Sequence, residues 1–268
     1  MDLPLSTPLV PRLVALEQCD STNSELGARA TGGQEPEFST VVTANQTRGH
    51  GRLGRIWVAP PGQTLAVSVL VTPVQSSGEA LGLEHYGWLP LLAGLAMTRA
   101  VVGLLATTPP ERVEGRPTVT LKWPNDVLID GRKVAGLLAE LLPDGHGVVL
   151  GAGLNLAIPA TELPTPAATS LTLHGVAPEG ILDAALSAYL RELRDLYAQF
   201  LRDGSAGIRT QVSAACGTLG KQVKVELPGG EILTGTAVDI DESGRLRIKT
   251  ATDAPLTAVA AGDVTHVR

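Results

Sequence analysis

Between Thr47 and Trp57 the chain reads TRGHGRLGRIW. Gly49, Gly51 and Gly54 let the backbone approach a ligand closely, and successive N–H groups in such a stretch can cup an anion. Arg48, Arg52 and Arg55 add positive charge, and a guanidinium offers a forked set of donors to carboxylate or phosphate. No Asp or Glu occurs from Phe38 to Gly78, in a protein with 27 acidic and 21 basic residues and a formal net charge of −6. A solvated turn can also carry three arginines. The missing acids favour a flexible loop that grips an anion.

A second cluster is LKWPND, Leu121–Asp126, followed by Lys133. Pro124 ends a strand, and Asn125 and Asp126 favour a turn. A strand–turn–strand reading places Lys122 and Lys133 on neighbouring strands of one hairpin. Lysine supplies a compact charge for phosphate, and Asp126 can ligate Mg²⁺ through oxygen or orient an amine. Taken alone, these residues also fit a surface turn with solvated lysines, and Trp123 reads as a core plug. A third cluster, GAGLN at Gly151–Asn155, lets a planar ligand lie close to a strand, and Asn155 can pair with a base edge. Tight packing of a buried strand accounts for it equally. Ser21, Thr22 and Asn23 suit a helix cap, and their donors also suit a polar headgroup.

The elements that must hold these groups follow from patterning. Leu13–Glu17 is extended. Thr22 and Glu25 have capping-box spacing, so a helix starts there and stops at Gly32 and Gly33. Thr40–Ala44 and Leu65–Val71 read as strands, and His85–Leu105 as a long helix. Residues 107–118, TTPPERVEGRPT, read as a mobile surface connection. Val119–Trp123, Val127–Ile129, Lys133–Leu142 and Gly147–Leu156 read as strands, with Asp130–Gly131 as a hairpin turn. Glu179–Leu201 has an apolar face at helical spacing. From Gly217 the composition shifts to short strands at Lys221–Leu227, Glu231–Ile240, Gly244–Lys249 and Leu256–Val259. Turn signals between them suggest a small, independently packed barrel.

Composition bounds the rest. The 268 residues are 44% hydrophobic and 18% charged, enough for one large domain or one large plus one small. The acidic balance argues against a general phosphate-backbone binder. With 3% aromatic residues, a stacking platform for single strands is equally disfavoured. Cys19 and Cys216 lie too far apart in sequence for a CxxC motif and suit a reducing compartment. The N-terminus shows no basic segment leading into an apolar run. Residues 88–106 are apolar enough to need checking as a membrane span. Arg99 within them would cost about 2.5–3.5 kcal/mol on insertion. A buried helix of a soluble, cytoplasmic protein with no membrane partner is the expectation.

In order, the chain carries D-S-T-N, a Q-x-x-G-x-G-R-x-G-R-x-W loop, K-W-P-N-D, K-x-x-G and G-A-G-L-N. This set resembles the biotin protein ligase family over about residues 17 to 171, and the barrel-like C-terminal segment extends the resemblance. The resemblance implies an α+β fold. Residues 1–216 would form a catalytic domain, a mixed sheet with helices like that of class II aminoacyl-tRNA synthetases. Residues 217–268 would form an SH3-like barrel.

It implies that biotin's carboxylate attacks the α-phosphate of ATP to give biotinyl-5′-adenylate. A lysine on the biotin carrier domain of acyl-CoA or pyruvate carboxylases then takes the biotinyl group. ATP and biotin are the implied substrates, Mg²⁺ the implied ion, and a monomer or weak homodimer the implied state.

By resemblance, Ser21, Thr22, Asn23 and Gln46 bind the biotin headgroup. Gly49, His50, Gly51 and Arg52 form the loop over biotin, Lys133 serves its carboxylate, and Gly136 takes the close-packing position of the biotin site. Arg52, Arg55, Trp57, Lys122, Asn125 and Asn155 serve the adenylate. Arg52, Lys122, Asp126 and Lys133 are the implied catalytic set, with Asp126 also the implied Mg²⁺ ligand. The sequence departs from the family at His50, where the usual loop reads G-R-G-R; Arg48 lies two residues earlier. A lipoate or octanoate ligase or transferase and a biotin-responsive repressor are the alternatives. The 20 residues before Ser21 are too few for a helix-turn-helix domain.

Overall fold

The computed structural model describes residues 1–31, 35–57, 59–74, 78–108, 116–145, 147–250 and 255–267. The expected stop at Gly32–Gly33 and most of the connection at 107–118 lie outside these residues. In chain order the elements are β1 (Leu13–Leu16), α1 (Thr22–Ala30), β2 (Thr40–Thr43), β3 (Gly49–His50), β4 (Ile56–Trp57) and β5 (Thr64–Val71). Then come α2 (Trp88–Ala106), β6 (Val119–Lys122), β7 (Asp126–Ile129), β8 (Arg132–Leu141), β9 (Val148–Asn155) and α3 (Ile181–Ala215). The C-terminal part holds β10 (Gln222–Glu226), β11 (Ile232–Ile240), β12 (Leu246–Lys249), β13 (Thr257–Val259) and β14 (Asp263–His266).

A seven-stranded sheet runs β1-β2-β5-β9-β8-β7-β6. Its β1–β2 pair is parallel and its other pairs are antiparallel. Strand side chains alternate between faces, and the two faces are used differently. Val42, Val67, Val69, Val71 and Leu150 pack with α2 and α3 in the main core. Val41, Leu70 and Val149 turn the other way and pack with Leu26 and Ala30 of α1. On this second face, register sets Ala66, Gly153, Gly136, Asp126 and Lys122 in one row across five strands. Small residues in the middle of that row leave a trough.

Three local expectations need correction. The N-cap of α1 is Ser21, one residue before Thr22, and its Oγ accepts from Ser24 N at 3.4 Å. The Thr22 hydroxyl is held by Gln46 instead, 3.2 Å from its Oε1. Lys122 and Lys133 are not on neighbouring strands, because β7 runs between β6 and β8. The last long helix does not stop near Leu201: it breaks helical geometry at Gly204 (φ 66°) and resumes to Ala215.

α2 is long and apolar enough to span a membrane by length and composition alone. Here its apolar sides are covered by the sheet and α3. Arg99, the charge within it, reaches Gln211 at 2.6 Å and Glu192 at 3.4 Å on α3.

The C-terminal strands form an antiparallel sheet in the order β13-β12-β11-β10-β14, so the patterning missed one strand, β14. This unit does not pack independently. Val223, Val225, Ala237, Ile240, Leu246 and Val264 join the same apolar cluster as α2 and the large sheet. Two buried tryptophans fasten it: Trp88 Nε1 donates to Glu242 O at 2.7 Å and Trp123 Nε1 to Gly244 O at 3.2 Å.

Candidate active site

Two concave regions lie over the trough. The first is lined by Ser21, Thr22, Asn23, Gln46, the loop residues His50–Leu53 and Arg55–Trp57, Asn125, Gly136, Leu138 and Gly151–Gly153. The second is lined by Lys122, Leu128, Asn155, Thr165, Ala168, Thr265 and His266 among others. Ile56, Trp57, Asp126 and Lys133 line both, so they form the wall between them.

The floor is shaped by missing side chains. A Cβ on Gly153 would lie 2.7 Å from the Trp57 ring, and one on Gly136 would lie 3.2 Å from it. A Cβ on Gly151 would collide with the Asn23 amide. Trp57 and Asn23 therefore lie flat on the strands only because glycine is beneath them. Trp57 Nε1 is buried and has no hydrogen-bond partner among the described residues. A buried N–H without an acceptor costs about 1–3 kcal/mol, which an acceptor on a ligand would relieve.

At one end, the D-S-T-N segment lies alongside the start of the loop. Thr47 N donates to Cys19 O at 2.9 Å and Arg48 N to Asp20 O at 2.8 Å. Gln46 Oε1 accepts from Thr22 N at 2.8 Å, which leaves Gln46 Nε2 as a donor. Ser68, on β5 and fully buried, donates to Asn23 Oδ1 at 2.5 Å and lies 2.8 Å from Thr22 Oγ1. Gly49 is buried in β3, close against Gln46 and the Trp57 backbone.

At the centre, Asp126 Oδ1 lies 2.6 Å from Lys133 Nζ, and that ammonium sits 5.6 Å from the Trp57 ring centroid. The two strand residues named from the K-W-P-N-D and K-x-x-G motifs are thus one ion pair. Arg52 Nη1 donates to Asn125 Oδ1 at 3.1 Å and to Gly262 O at 3.3 Å. Asn125 is itself anchored to β8, through Nδ2 to Leu137 O at 2.8 Å. Burial strips water from Arg52 and pulls its pKa down, against the pull of Asp126 and Asp263. Its direct partners are neutral, so the guanidinium is poised for an anion.

Arg55 differs. Both its Nη atoms bind Asp263 on β14, and that hydrogen bonding raises the Arg55 pKa and holds the Asp263 carboxyl below its ordinary range.

In the second region, Asn155 donates to Thr169 O at 2.9 Å and is buried. Lys122 lines this side alone. His266 Nε2 is 3.2 Å from Thr218 Oγ1, which accepts from Trp123 N at 3.1 Å. Burial, then Lys221 and Lys122, push the His266 pKa from 6.5 down to about 4. The described residues hold no group of three His, Cys, Asp or Glu side chains placed to bind a metal. Among the described lining residues, Asp126 is the carboxylate common to both regions, and Asp263, which lines the first, is paired with Arg55.

Residues 16–155 match the Biotin/lipoate A/B protein ligase family, which is more than half the chain. The chain belongs to this family. Residues 218–267 match the Biotin protein ligase C terminal domain. The chain is 38% identical to the biotin--[acetyl-CoA-carboxylase] ligase of Mycobacterium tuberculosis, over 96% of this chain and 90% of the relative. Its fold is similar to a biotin protein ligase from Aquifex aeolicus in complex with biotin and ATP. The TM-score is 0.72 at 26% identity, covering 96% of this chain and 99% of the other. A Leishmania major biotin protein ligase in complex with biotinyl-5-AMP aligns with TM-score 0.60 at 29% identity, over 94% of this chain and 99% of the other.

Sequence reasoning missed the C-terminal contribution of Gly262, Asp263, Thr265 and His266, and the strand residues Ser68 and Leu138. The acid-free window from Phe38 to Gly78 called for a counter-charge from elsewhere, and Asp263 supplies it to Arg55.

Proposed function

We propose that this protein activates biotin with ATP to biotinyl-5′-AMP and pyrophosphate. It then transfers the biotinyl group to a lysine of the biotin carrier domain of biotin-dependent carboxylases. One observation carries the reading: two concave regions share a wall bearing Lys133 and Trp57, with the desolvated Arg52 beside it. Joining biotin to ATP brings a carboxylate and a triphosphate together. Fixed cations at the junction offset that repulsion and stabilise charge developing at the α-phosphate.

The first region takes biotin. Gln46 Nε2 donates to the ring carbonyl, and the Asn23 carbonyl oxygen accepts a ring N–H. The carboxylate end runs toward Lys133, which Asp126 holds in place. The second region takes the nucleotide, with Asn155 and Lys122 on its walls, and Arg52 reaches over the phosphate from the loop. The carboxylate oxygen bonds to the α-phosphorus as the bond to pyrophosphate breaks. In the second step the carrier amine attacks the acyl carbon and AMP leaves. The anhydride is prone to hydrolysis, and Arg52 and the glycine loop hold it and limit access of water.

Magnesium is held largely by substrate phosphates in sites of this kind, with one or two protein carboxylates. Asp126 is the residue that fits, and the metal would supply neutralisation of phosphate charge. Residues 1–216 provide both regions' main walls, and residues 217–268, as an SH3-like unit, close the nucleotide side. We place the protein in the cytoplasm as a monomer or weak homodimer, acting without nucleic acid or membrane.

The test is exchange of labelled pyrophosphate into ATP. The reading expects exchange with biotin and none with lipoate or without an acid; equal exchange in all three, or none in any, contradicts it.

A further inference from the structure

Asn23 has an amide whose two ends demand opposite partners, and the structure fixes which end faces which way. Its Nδ2 donates to Glu140 Oε2 at 2.5 Å and to Leu138 O at 3.4 Å. Its Oδ1 accepts from the Ser68 hydroxyl at 2.5 Å. Turning the amide over would put Oδ1 against two oxygens, so the orientation is determined. Beneath it, Gly151 leaves no Cβ, so the amide lies close against β9, and Asn23 lines the first concave region.

Glu140 belongs to none of the motifs that mark the site. It is an exposed residue near the end of β8, opposite Val149 and two positions beyond Leu138 on the same face. A lone exposed strand glutamate would ordinarily point to water. This one meets a buried amide through a charge-assisted hydrogen bond, the stronger kind.

We propose that Glu140 is a positioning residue that sets ligand specificity. By holding Nδ2, it keeps the Asn23 carbonyl turned to Ser68 and the cavity. The pocket then demands a ligand that donates an N–H at that point. Without Glu140, only the longer contact to Leu138 O holds Nδ2, and the amide can turn over and present a donor where the ligand also has one. This rests on the biotin reading above and deepens it: recognition of the ring N–H depends on a carboxylate outside the binding segment.

Three variants test it on the full chain: Glu140→Met, Asn23→Asp, and the double variant Asn23→Asp/Glu140→Gln. Glu140→Met removes the acceptor at similar size. Asn23→Asp sets two carboxylates together. The double variant restores one amide facing one carboxylate, with donor and acceptor exchanged and an oxygen still facing Ser68. Calorimetry would give affinity for biotin and for an analogue methylated on a ring nitrogen, and steady-state kinetics would give KM for ATP.

Glu140→Met should bind biotin about 10-fold more weakly, the scale of one hydrogen bond to a charged group. Its preference for biotin over the methylated analogue should shrink, while KM for ATP stays within about 2-fold, the scatter expected where no contact is lost. Asn23→Asp should bind biotin weakly, and the double variant should recover most of that loss. Wild-type preference in Glu140→Met overturns the proposal, as does a double variant no better than Asn23→Asp. Should Glu140→Met fail to fold, the comparison of the other two decides alone. Absence of biotin binding by the wild type would instead overturn the functional reading, and the proposal with it.

Discussion

Arg52 and Arg55 stand three positions apart on one loop in different electrostatic settings. Arg52 is half-buried with neutral partners, whereas Arg55 is paired with Asp263. The sequence shows two equivalent loop arginines, because the partner that separates them lies on β14, far along the chain. We expect Arg52→Ala to release biotinyl-5′-AMP faster by about 10- to 150-fold, for a lost charged hydrogen bond of about 1.5–3 kcal/mol. Nearby lysines should then be biotinylated without selection. Rapid filtration of the radiolabelled adenylate complex measures the release, and a wild-type rate would remove Arg52 from the site.

Gly153 gives a second residue-scale outcome. Gly153→Val should displace Trp57 from the floor, because even a Cβ would stand 2.7 Å from its ring. Trp57 fluorescence should shift and adenylate affinity should fall; an unchanged spectrum and affinity would show that the ring is not displaced. The small residues of GAGLN were readable as a close approach. What approaches them was not, since Trp57 arrives from a different motif.

Among elements, the loop is held at two places by neighbours. The D-S-T-N segment takes its start through Gln46–Arg48, and Gly262 with Asp263, at the start of β14, takes its middle. Asp263 has its pKa lowered, first by the hydrogen bond from Arg55. A lowered folded-state carboxyl pKa means that the tether stabilises above the ordinary value of about 3.9 and is lost as pH falls through the lower one. It is therefore intact at neutral pH. The pair is partly exposed, so its contribution is about 1 kcal/mol or less and falls with added salt. Asp263→Asn should raise amide hydrogen exchange in residues 47–57 by a few-fold, an order set by that energy. Unchanged exchange would show that the loop is held elsewhere.

Most strands and both long helices were legible from periodicity and turn residues. The hairpin at Asp130–Gly131 was among them, with both residues at positive φ (49° and 77°). The positions of Lys122 and Lys133 were misjudged. The short strand Asp126–Ile129, itself legible at Val127–Ile129, lies between their strands; the register shift between Val127 and Leu128 was not legible from spacing.

At the scale of the whole molecule, the C-terminal sheet is part of the core rather than an appendage. Truncation at Thr218 would remove the acceptors of Trp88 and Trp123 and the Thr218 hydroxyl that receives Trp123 N. It should yield a chain that fails to fold cooperatively, as judged by loss of a sigmoidal urea transition. A truncated chain with a wild-type midpoint would contradict the shared core. Composition marked this segment as a separate module because its strands are short. It could not show that their inward faces meet the other core.

His266 makes stability depend on pH through the same interface. Its folded pKa of about 4 lies below 6.5, so between these values the unfolded chain binds the proton and the folded one does not. Stability should fall as pH drops from about 6.5 to about 4, and His266→Gln should flatten that slope. Urea midpoints across this interval measure it, and parallel slopes for both proteins would show that His266 is not responsible.

The central claim is that one chain makes an acyl-adenylate at the junction of two cavities and passes the acyl group to a lysine. The most direct measurement is a single turnover followed by intact mass and peptide mapping. The protein is loaded with biotin and Mg-ATP, freed of excess ligand, and mixed with a biotin carrier domain. The account predicts one biotinyl group on one lysine of the carrier, AMP released in equal amount, and no transfer when ATP is omitted. A carrier that stays unmodified while AMP accumulates, or modification that proceeds without ATP, would contradict it.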